Sequence, residues 1–263
     1  MRRYGMLVLA PLVLVACSSS GGSPGGEGRS AVASGSSSAD PESEPGDTSA
    51  IDADPAMLPA SRKEALDLIG RVIADPATFG PGVVKRSPYE SDPATWPVLG
   101  TDCVWQQKKP MASVLATLSR SFEVPAADGK GPMRLSAVVT VHRARADARW
   151  EMAESVEETM RCPTQQLRKG ELIGSMIASS LAQGESNQNN SEDSLFETGK
   201  YQNAELGGGP YPYSWYQSQN LQFTVATTGK GAEGWSEKEI DTFTNQAQST
   251  MLLRLKSAVE KQS

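Results

Sequence analysis

Histidine, cysteine and clusters of basic residues are scarce in this sequence. The chain of 263 residues has one histidine, three cysteines, and 25 basic against 31 acidic residues. Without a basic stripe to neutralise phosphates, we expect no nucleic-acid partner. Two cysteines and one distant histidine could hardly complete a metal site, so we expect no bound metal and no cofactor.

Long apolar runs are also absent. The longest, residues 6–15, has about ten residues and is interrupted by Pro11, whereas a helix needs roughly 20 apolar residues to cross a membrane. The run follows two arginines and ends in small residues before Cys17, a layout typical of a cleaved secretory signal. The sequence therefore predicts a signal peptide over residues 1–16.

The end of the apolar run, Leu14-Val15-Ala16-Cys17, resembles the bacterial lipobox. In that motif a diacylglyceryl group is attached to the cysteine sulfur and the chain is cut just before it. The resemblance implies lipidation of Cys17 by acyl chains such as palmitate, on the extracellular face of the cell membrane. Two chains bury enough methylene groups, at about 0.8 kcal/mol each, for stable anchoring. The alternative is an ordinary secretory signal that contains a cysteine.

The next part of the chain has too little apolar surface to fold. Residues 18–60 are rich in Ser, Gly and Pro and carry seven acidic residues against one basic residue. We expect a disordered tether over residues 17–60, with a typical reach of about 35 Å. A single domain then occupies residues 61–263, because no second linker of this kind divides it.

An odd number of cysteines is unusual in an exported protein. Lipidation of Cys17 would leave Cys103 and Cys162 as a pair in an oxidising compartment, which predicts a disulfide between them. Closing a loop of about 60 residues removes denatured-state entropy worth roughly 4 kcal/mol. The alternative is a pair of free buried thiols.

Three helices are predicted by caps and apolar periodicity. The capping box Ser61-Arg62-Lys63-Glu64 begins a helix over about 61–74, and Ser236-Glu237-Lys238-Glu239 begins a long C-terminal helix. A third helix starts near Asp147 and ends at Cys162-Pro163. Its inward face is predicted to be the apolar stripe formed by Trp150, Ala153, Val156 and Met160.

Alternating apolar residues predict the strands. Residues 112–124 and 133–143 form an antiparallel hairpin, and further strands lie near 101–107, 194–203, 211–218 and 220–228. Residues 79–97 are rich in Gly and Pro and predict an irregular arm, and 170–183 fit a helix or a strand equally well. We expect an α+β fold, with a mainly antiparallel sheet of five or six strands and helices packed on one face.

Candidate catalytic residues are few. His142 falls on the strand face opposite Val139 and Val141, and no nucleophile motif accompanies it, so we interpret it as a polar-face residue. Four acids crowd the third helix away from its apolar stripe, which favours a solvated face over an acid/base pair: Glu151, Glu154, Glu157 and Glu158. We therefore expect no enzymatic activity.

Oxygen-bearing side chains at alternate positions resemble the start of a calcium loop: Asn187, Asn189, Ser191 and Asp193. The match then fails, because Glu192 stands where the loop needs glycine and Thr198 where it needs a bidentate acid. This segment does not change the expectation of no metal.

Aromatic residues after a glycine run are the best candidates for ligand binding. Alternation places Tyr211, Tyr213 and Trp215 on one strand face, with Tyr216 on the other. A flat amphipathic surface of this kind suits sugars, peptides or apolar ligands. The alternative, which we favour, is a strand packed under the C-terminal helix.

Several of these features together resemble the extracellular sensor domain of a mycobacterial membrane Ser/Thr kinase and its relatives among actinobacterial lipoproteins. They are Cys103 with Trp105, the strand 138–141, the helix 144–161 before Cys162-Pro163, and the strand 221–227 before a C-terminal helix. The resemblance implies an α+β domain with a cleft for an unidentified ligand. This chain departs from the family in two ways. It offers one disulfide where the sensor domain of the kinase has two, and we expect no catalytic kinase domain or membrane-spanning helix.

These observations predict a membrane-anchored lipoprotein whose domain binds or senses an unknown small molecule, glycan or protein. The alternative is an interaction or assembly lipoprotein that docks onto a membrane protein. A hydrolase of the cell envelope is the third hypothesis, and it would need His142 in the active site.

Overall fold

Eight antiparallel strands form the main sheet of the structure, a computed structural model that describes residues 50–179 and 191–261. Their order across the sheet is β1-β4-β5-β10-β9-β8-β7-β6, and β2 and β3 form a separate hairpin. The strands are β1 (Val84–Glu90), β2 (Trp96–Leu99), β3 (Trp105–Lys108), β4 (Val114–Val124), β5 (Met133–His142), β6 (Gln165–Arg168), β7 (Glu171–Ser179), β8 (Asp193–Asn203), β9 (Tyr211–Asn220) and β10 (Phe223–Lys230).

The described helices are α1 (Arg62–Val72), α2 (Pro76–Phe79), α3 (Arg145–Arg161) and α4 (Glu237–Val259). Both predicted capping boxes are present, at Ser61 with Glu64 and at Ser236 with Glu239. Each satisfies backbone N–H groups that a helix otherwise leaves unbonded. None of the described helices is long and apolar enough to cross a membrane.

The predicted hairpin of β4 and β5 is confirmed. Phe122 lies opposite Leu135 and Leu118 opposite Val139, so matched apolar residues share one face. The connection turns at Asp128-Gly129, both with positive φ, where an Asp-Gly pair is favoured.

The number of strands corrects the prediction of five or six. β1 lies in the segment predicted to be an irregular arm, and β7 lies in the segment that fitted a helix or a strand. β1 contains Pro88, which has no N–H to donate, and the strand is tolerated because it lies at the edge of the sheet.

Helices lie on both faces of the sheet, not on one. α1 and α4 cover an apolar core that includes Phe122, Val139 and Phe223. α3 packs on the opposite face, where it contacts β5 and β7 to β10. The α+β class and the mainly antiparallel sheet are as predicted.

α3 is rotated relative to its predicted orientation. Trp150 and Met160 are 68% and 77% exposed, while Met152 and Thr159 are buried. The apolar stripe therefore faces solvent, and the prediction that it faces the core was wrong. The reason is that α3 covers a polar sheet face, so its polar side chains point inward.

The folded part begins before the first capping box. Ile51 is 1% exposed, and the backbone N–H of Asp54 donates to Val259 O at 2.8 Å. Residues 50–60, assigned to the tether from composition, therefore pack on the domain. The predicted signal peptide, Cys17 and most of the predicted tether lie outside the described residues, as do Asn187 and Asn189.

Candidate functional site

Strict alternation along β10 gives the sheet two different faces. Phe223 and Val225 point to the apolar core, and Thr227 donates to Thr244 O in α4. Their neighbours Thr224 and Thr228 point to the side of α3. The face under α3 is therefore polar, and it forms the floor of a cleft.

The β2–β3 hairpin and α3 form the walls of this cleft. The predicted disulfide is confirmed: it joins Cys103, just before β3, to Cys162 at the end of α3, with 5.6 Å between the Cα atoms. Trp105 Nε1 donates to Gln165 Oε1 at 2.8 Å, and Arg161 donates to Gly100 O at 3.1 Å. The hairpin is thus held covalently and by hydrogen bonds beside α3.

The central cavity of the cleft has a volume of about 350 Å³. Two residues with hydroxyl groups, Tyr213 and Thr228, line it and are only 7% and 4% exposed. A hydroxyl group can both donate and accept a hydrogen bond. These hydroxyls are therefore available to a ligand.

Carboxyl groups on α3 and β8 line the same cavity. Burial, and next the charge of Glu154, raises the pKa of Glu158 to about 7. Burial also raises the pKa of Glu197 to about 7, against the lowering effect of a hydrogen bond from Thr159. Desolvation penalises the charged form of each carboxyl group.

One end of the cleft contains a hydrogen-bonded group around Glu151. Its Oε2 lies 2.6 Å from His142 Nε2 and accepts a hydrogen bond from Thr224 at 2.8 Å. Its Oε1 accepts one from Gln217 Nε2 at 2.9 Å. His142 lies on the strand face opposite Val139 and Val141, as predicted, and it is only 1% exposed because α3 covers that face.

The acidic residues of α3 also differ from their prediction. Glu151, Glu154 and Glu158 line the cleft, and only Glu157 of the four points to solvent, where it pairs with Arg161 at 2.9 Å. The solvated acidic face predicted for all four is therefore wrong, for the same reason as the rotation of α3.

Basic residues lie at the other end of the cleft, around a cavity of about 250 Å³. Lys230 Nζ lies 3.2 Å from Glu171, which also pairs with Arg168, and Arg134 lies 3.2 Å from Glu205. Burial lowers the pKa of Lys230, against the raising effect of Glu171. At this end the cations already have carboxylate partners.

The predicted aromatic residues lie on the two strand faces as alternation indicates, with Tyr211, Tyr213 and Trp215 together on one face. Trp215 and Tyr213 line the central cavity, and Tyr211 packs beside Tyr213 and donates to Gly207 O at 2.6 Å. Tyr216 stands on the other face, with its ring centroid 4.4 Å from that of Phe196. Packing on the side of α4 therefore describes Tyr216 and not Tyr213 or Trp215.

No protein-family model matches the chain, and no curated protein sequence matches it. Among solved structures, the extracellular domain of PknH from Mycobacterium tuberculosis is similar over 73% of this chain and 93% of that chain, at 11% identity and a TM-score of 0.38. It is a domain of the kind that the sequence resembles. A similarity of this size carries no conclusion about the function of the present chain.

Sequence reasoning missed three lining residues that the fold brings together: Trp96, Glu158 and Glu197. Trp96 lies in the segment predicted to be irregular. Glu158 lies on α3, for which the prediction placed the wrong face of the helix towards the core. Glu197 had one usable signal, since alternation in β8 puts it on the same face as its cross-strand neighbour Trp215.

Proposed function

We propose that this chain is a lipid-anchored lipoprotein of the bacterial cell envelope whose domain binds or senses a ligand in the cleft. The observation that carries the proposal is the central cavity, which is lined by tryptophan residues and by polar side chains from both walls and the floor of the cleft. Ligand sites are typically concave and combine apolar walls with a few convergent polar groups.

Anchoring through Cys17 is the second part of the proposal. Its support is the lipobox-like sequence and the Cys103–Cys162 disulfide, since disulfides persist in oxidising compartments outside the cytoplasm. We expect the purified native protein to carry acyl chains on Cys17 and to lack residues 1–16. Intact-mass analysis tests this, and a Cys17→Ser variant that still partitions with membranes in the same amount would refute it.

Binding, and not catalysis, is proposed for the cleft. His142 faces Glu151, whose two oxygens are also engaged by Thr224 and Gln217. This arrangement gives a fixed polar wall rather than a histidine poised beside a nucleophile. Hydrolytic activity that is abolished by His142→Ala would overturn this part of the proposal.

The direct test of ligand binding is native mass spectrometry of the full chain purified from its own host. We expect a retained small molecule or glycan. Ser136→Trp is the matched variant, because Ser136 lines the cavity and its cross-strand neighbours Ser121 and Thr228 are small. A folded Ser136→Trp protein should lose the ligand, and equal retention by both proteins would place the ligand elsewhere.

Docking onto a membrane protein is the second candidate function, and one observation favours it. Trp150, Met160 and Ile177 are 68%, 77% and 69% exposed on the domain surface. Exposed large apolar residues of this kind occur at interaction surfaces. Crosslinking in intact cells distinguishes the two functions, since a stoichiometric protein partner lost in a Trp150→Ser/Met160→Ser variant would favour docking.

A further inference from the structure

Tryptophan and glutamate side chains surround one end of the cleft. A cavity of about 150 Å³, contiguous with the central one, is lined by Trp96, Trp105 and Trp215 and by Glu151, Glu154 and Glu158. Among the residues that the structure describes, no lysine or arginine lines it. Trp105, Trp215 and Glu158 also line the central cavity, so they stand where the two cavities meet.

The acidic residues at this junction have no salt-bridge partner in the part of the chain that the structure describes, although the charge of Arg161 acts on Glu158. Glu154, Glu158 and Glu197 form no salt bridge within residues 50–179 and 191–261, whereas Glu171 at the other end has both Lys230 and Arg168. Half-buried carboxylates without a cation are costly, and a bound positive charge would offset that cost.

One hydrogen-bond acceptor without a donor provides independent support. Gln217 is 2% exposed and lines the same cavity, and its Nε2 is used by Glu151 while its Oε1 accepts no hydrogen bond. A free amide oxygen needs a donor, which an ammonium group or a hydroxyl beside it can supply. The faces of tryptophan rings attract organic cations.

Resting on the proposed function, we infer that the ligand carries an organic ammonium group, which binds between Trp105, Trp215 and Glu158. The group occupies the junction of the two cavities, where rings and carboxylates face it from the β2–β3 hairpin, β9 and α3. The rest of the ligand extends towards Tyr213 and Thr228.

The charged groups around the junction make binding depend on pH. Glu158 faces Glu154 and Arg161 from its own helix and Glu197 from β8, while Tyr213 and Lys230 line the cavity from β9 and β10. Glu158 and Glu197 are partly protonated near neutral pH. A cation favours their ionised forms, so affinity should rise about tenfold between pH 6 and pH 8, with release of protons on binding.

The test uses choline and its uncharged isostere 3,3-dimethylbutan-1-ol as probes of the full chain, followed by tryptophan fluorescence and indole NMR shifts. Choline should bind at least tenfold more tightly than the isostere. Glu158→Gln should weaken choline binding about tenfold and flatten its pH dependence. Glu157→Gln is the matched control, because Glu157 lies one residue away on the same helix and points to solvent.

Equal binding of the two probes, failure of both to bind, or choline affinity unchanged in folded Glu158→Gln overturns the inference. If Glu158→Gln does not fold, Glu154→Gln takes its place, with an expected loss of about threefold. Native mass spectrometry could also show a retained ligand that is uncharged or anionic and is lost in Ser136→Trp. That result overturns the inference that the ligand carries an ammonium group, but it supports the proposed function. Retention of the ligand by folded Ser136→Trp contradicts both the inference of an ammonium group and the proposed binding in the cleft.

Discussion

The two faces of the main sheet are built from the same strands and have opposite characters. Under α1 and α4 the sheet presents Phe122, Val139 and Phe223, which are fully buried in a continuous apolar core. Under α3 it presents Thr117, Ser136 and other polar side chains around cavities. The first face is filled by its helices, whereas the second is only partly covered. The apolar core and the proposed binding cleft thus lie on different sides of one sheet.

The orientation of α3 follows from this difference between the two faces. A helix on an apolar sheet face buries its apolar stripe, as α4 does with Ile240, Met251 and Leu255. α3 rests on a polar face and directs Glu151, Ser155 and Glu158 to it, so its own large apolar residues are left at the surface.

Removing a large side chain from the apolar face should have the largest effect. Phe223→Ala creates a cavity in the core under α4, and we expect a loss of about 3–5 kcal/mol in the free energy of unfolding, measured by denaturant titration. Ser136→Ala on the cleft face is the control and should change stability by less than about 0.5 kcal/mol. Similar losses for the two variants would mean that both faces contribute equally to stability.

The cleft face should make stability depend on pH. The pKa of Glu197 is about 7 when folded, above its ordinary value near 4.5, so the folded state binds more protons between these pH values. Stability therefore falls as pH rises from about 5 to 8, by at most about 3 kcal/mol for this residue. Glu197→Gln should reduce that fall, as measured by thermal unfolding across the range, while Glu157→Gln should leave the slope unchanged.

The exposed stripe of α3 should have the smallest effect on stability. Trp150→Ala removes a side chain that is 68% exposed, and we expect a change of less than about 0.5 kcal/mol. Met152→Ala on the same helix removes a side chain that is 3% exposed and should cost about 2–5 kcal/mol. A large loss of stability in Trp150→Ala and none in Met152→Ala would mean that the apolar stripe faces the core, as periodicity predicted.

Local chemistry was sufficient to predict much of the fold. The capping boxes at Ser61 and Ser236, the hairpin of β4 and β5, and the strands β8 to β10 follow from caps and alternation within short segments. β1 was missed because its Pro88 argues against a strand unless its place at a sheet edge is known. The disulfide was predicted by counting cysteines, without knowledge of the distance between them.

The candidate site was much harder to predict, and Trp215 illustrates why. Alternation placed it with Tyr211 and Tyr213, but the sequence does not say which helix covers that strand face. Glu158 lies 39 residues before Glu197 in the chain, and the two meet only because α3 crosses over β8. Contacts of this kind depend on the order of strands in the sheet.

By itself the sequence determined the capped helices, the strands with clear alternation and the disulfide between Cys103 and Cys162, because each depends on neighbouring residues or on residue counts. Only the tertiary structure decided which face of the sheet is filled and which is open. Helical periodicity shows where a stripe lies on a helix, but not whether that stripe meets a partner or water. That depends on the surface on which the helix packs, and for α3 this surface is assembled from strands spread over much of the chain.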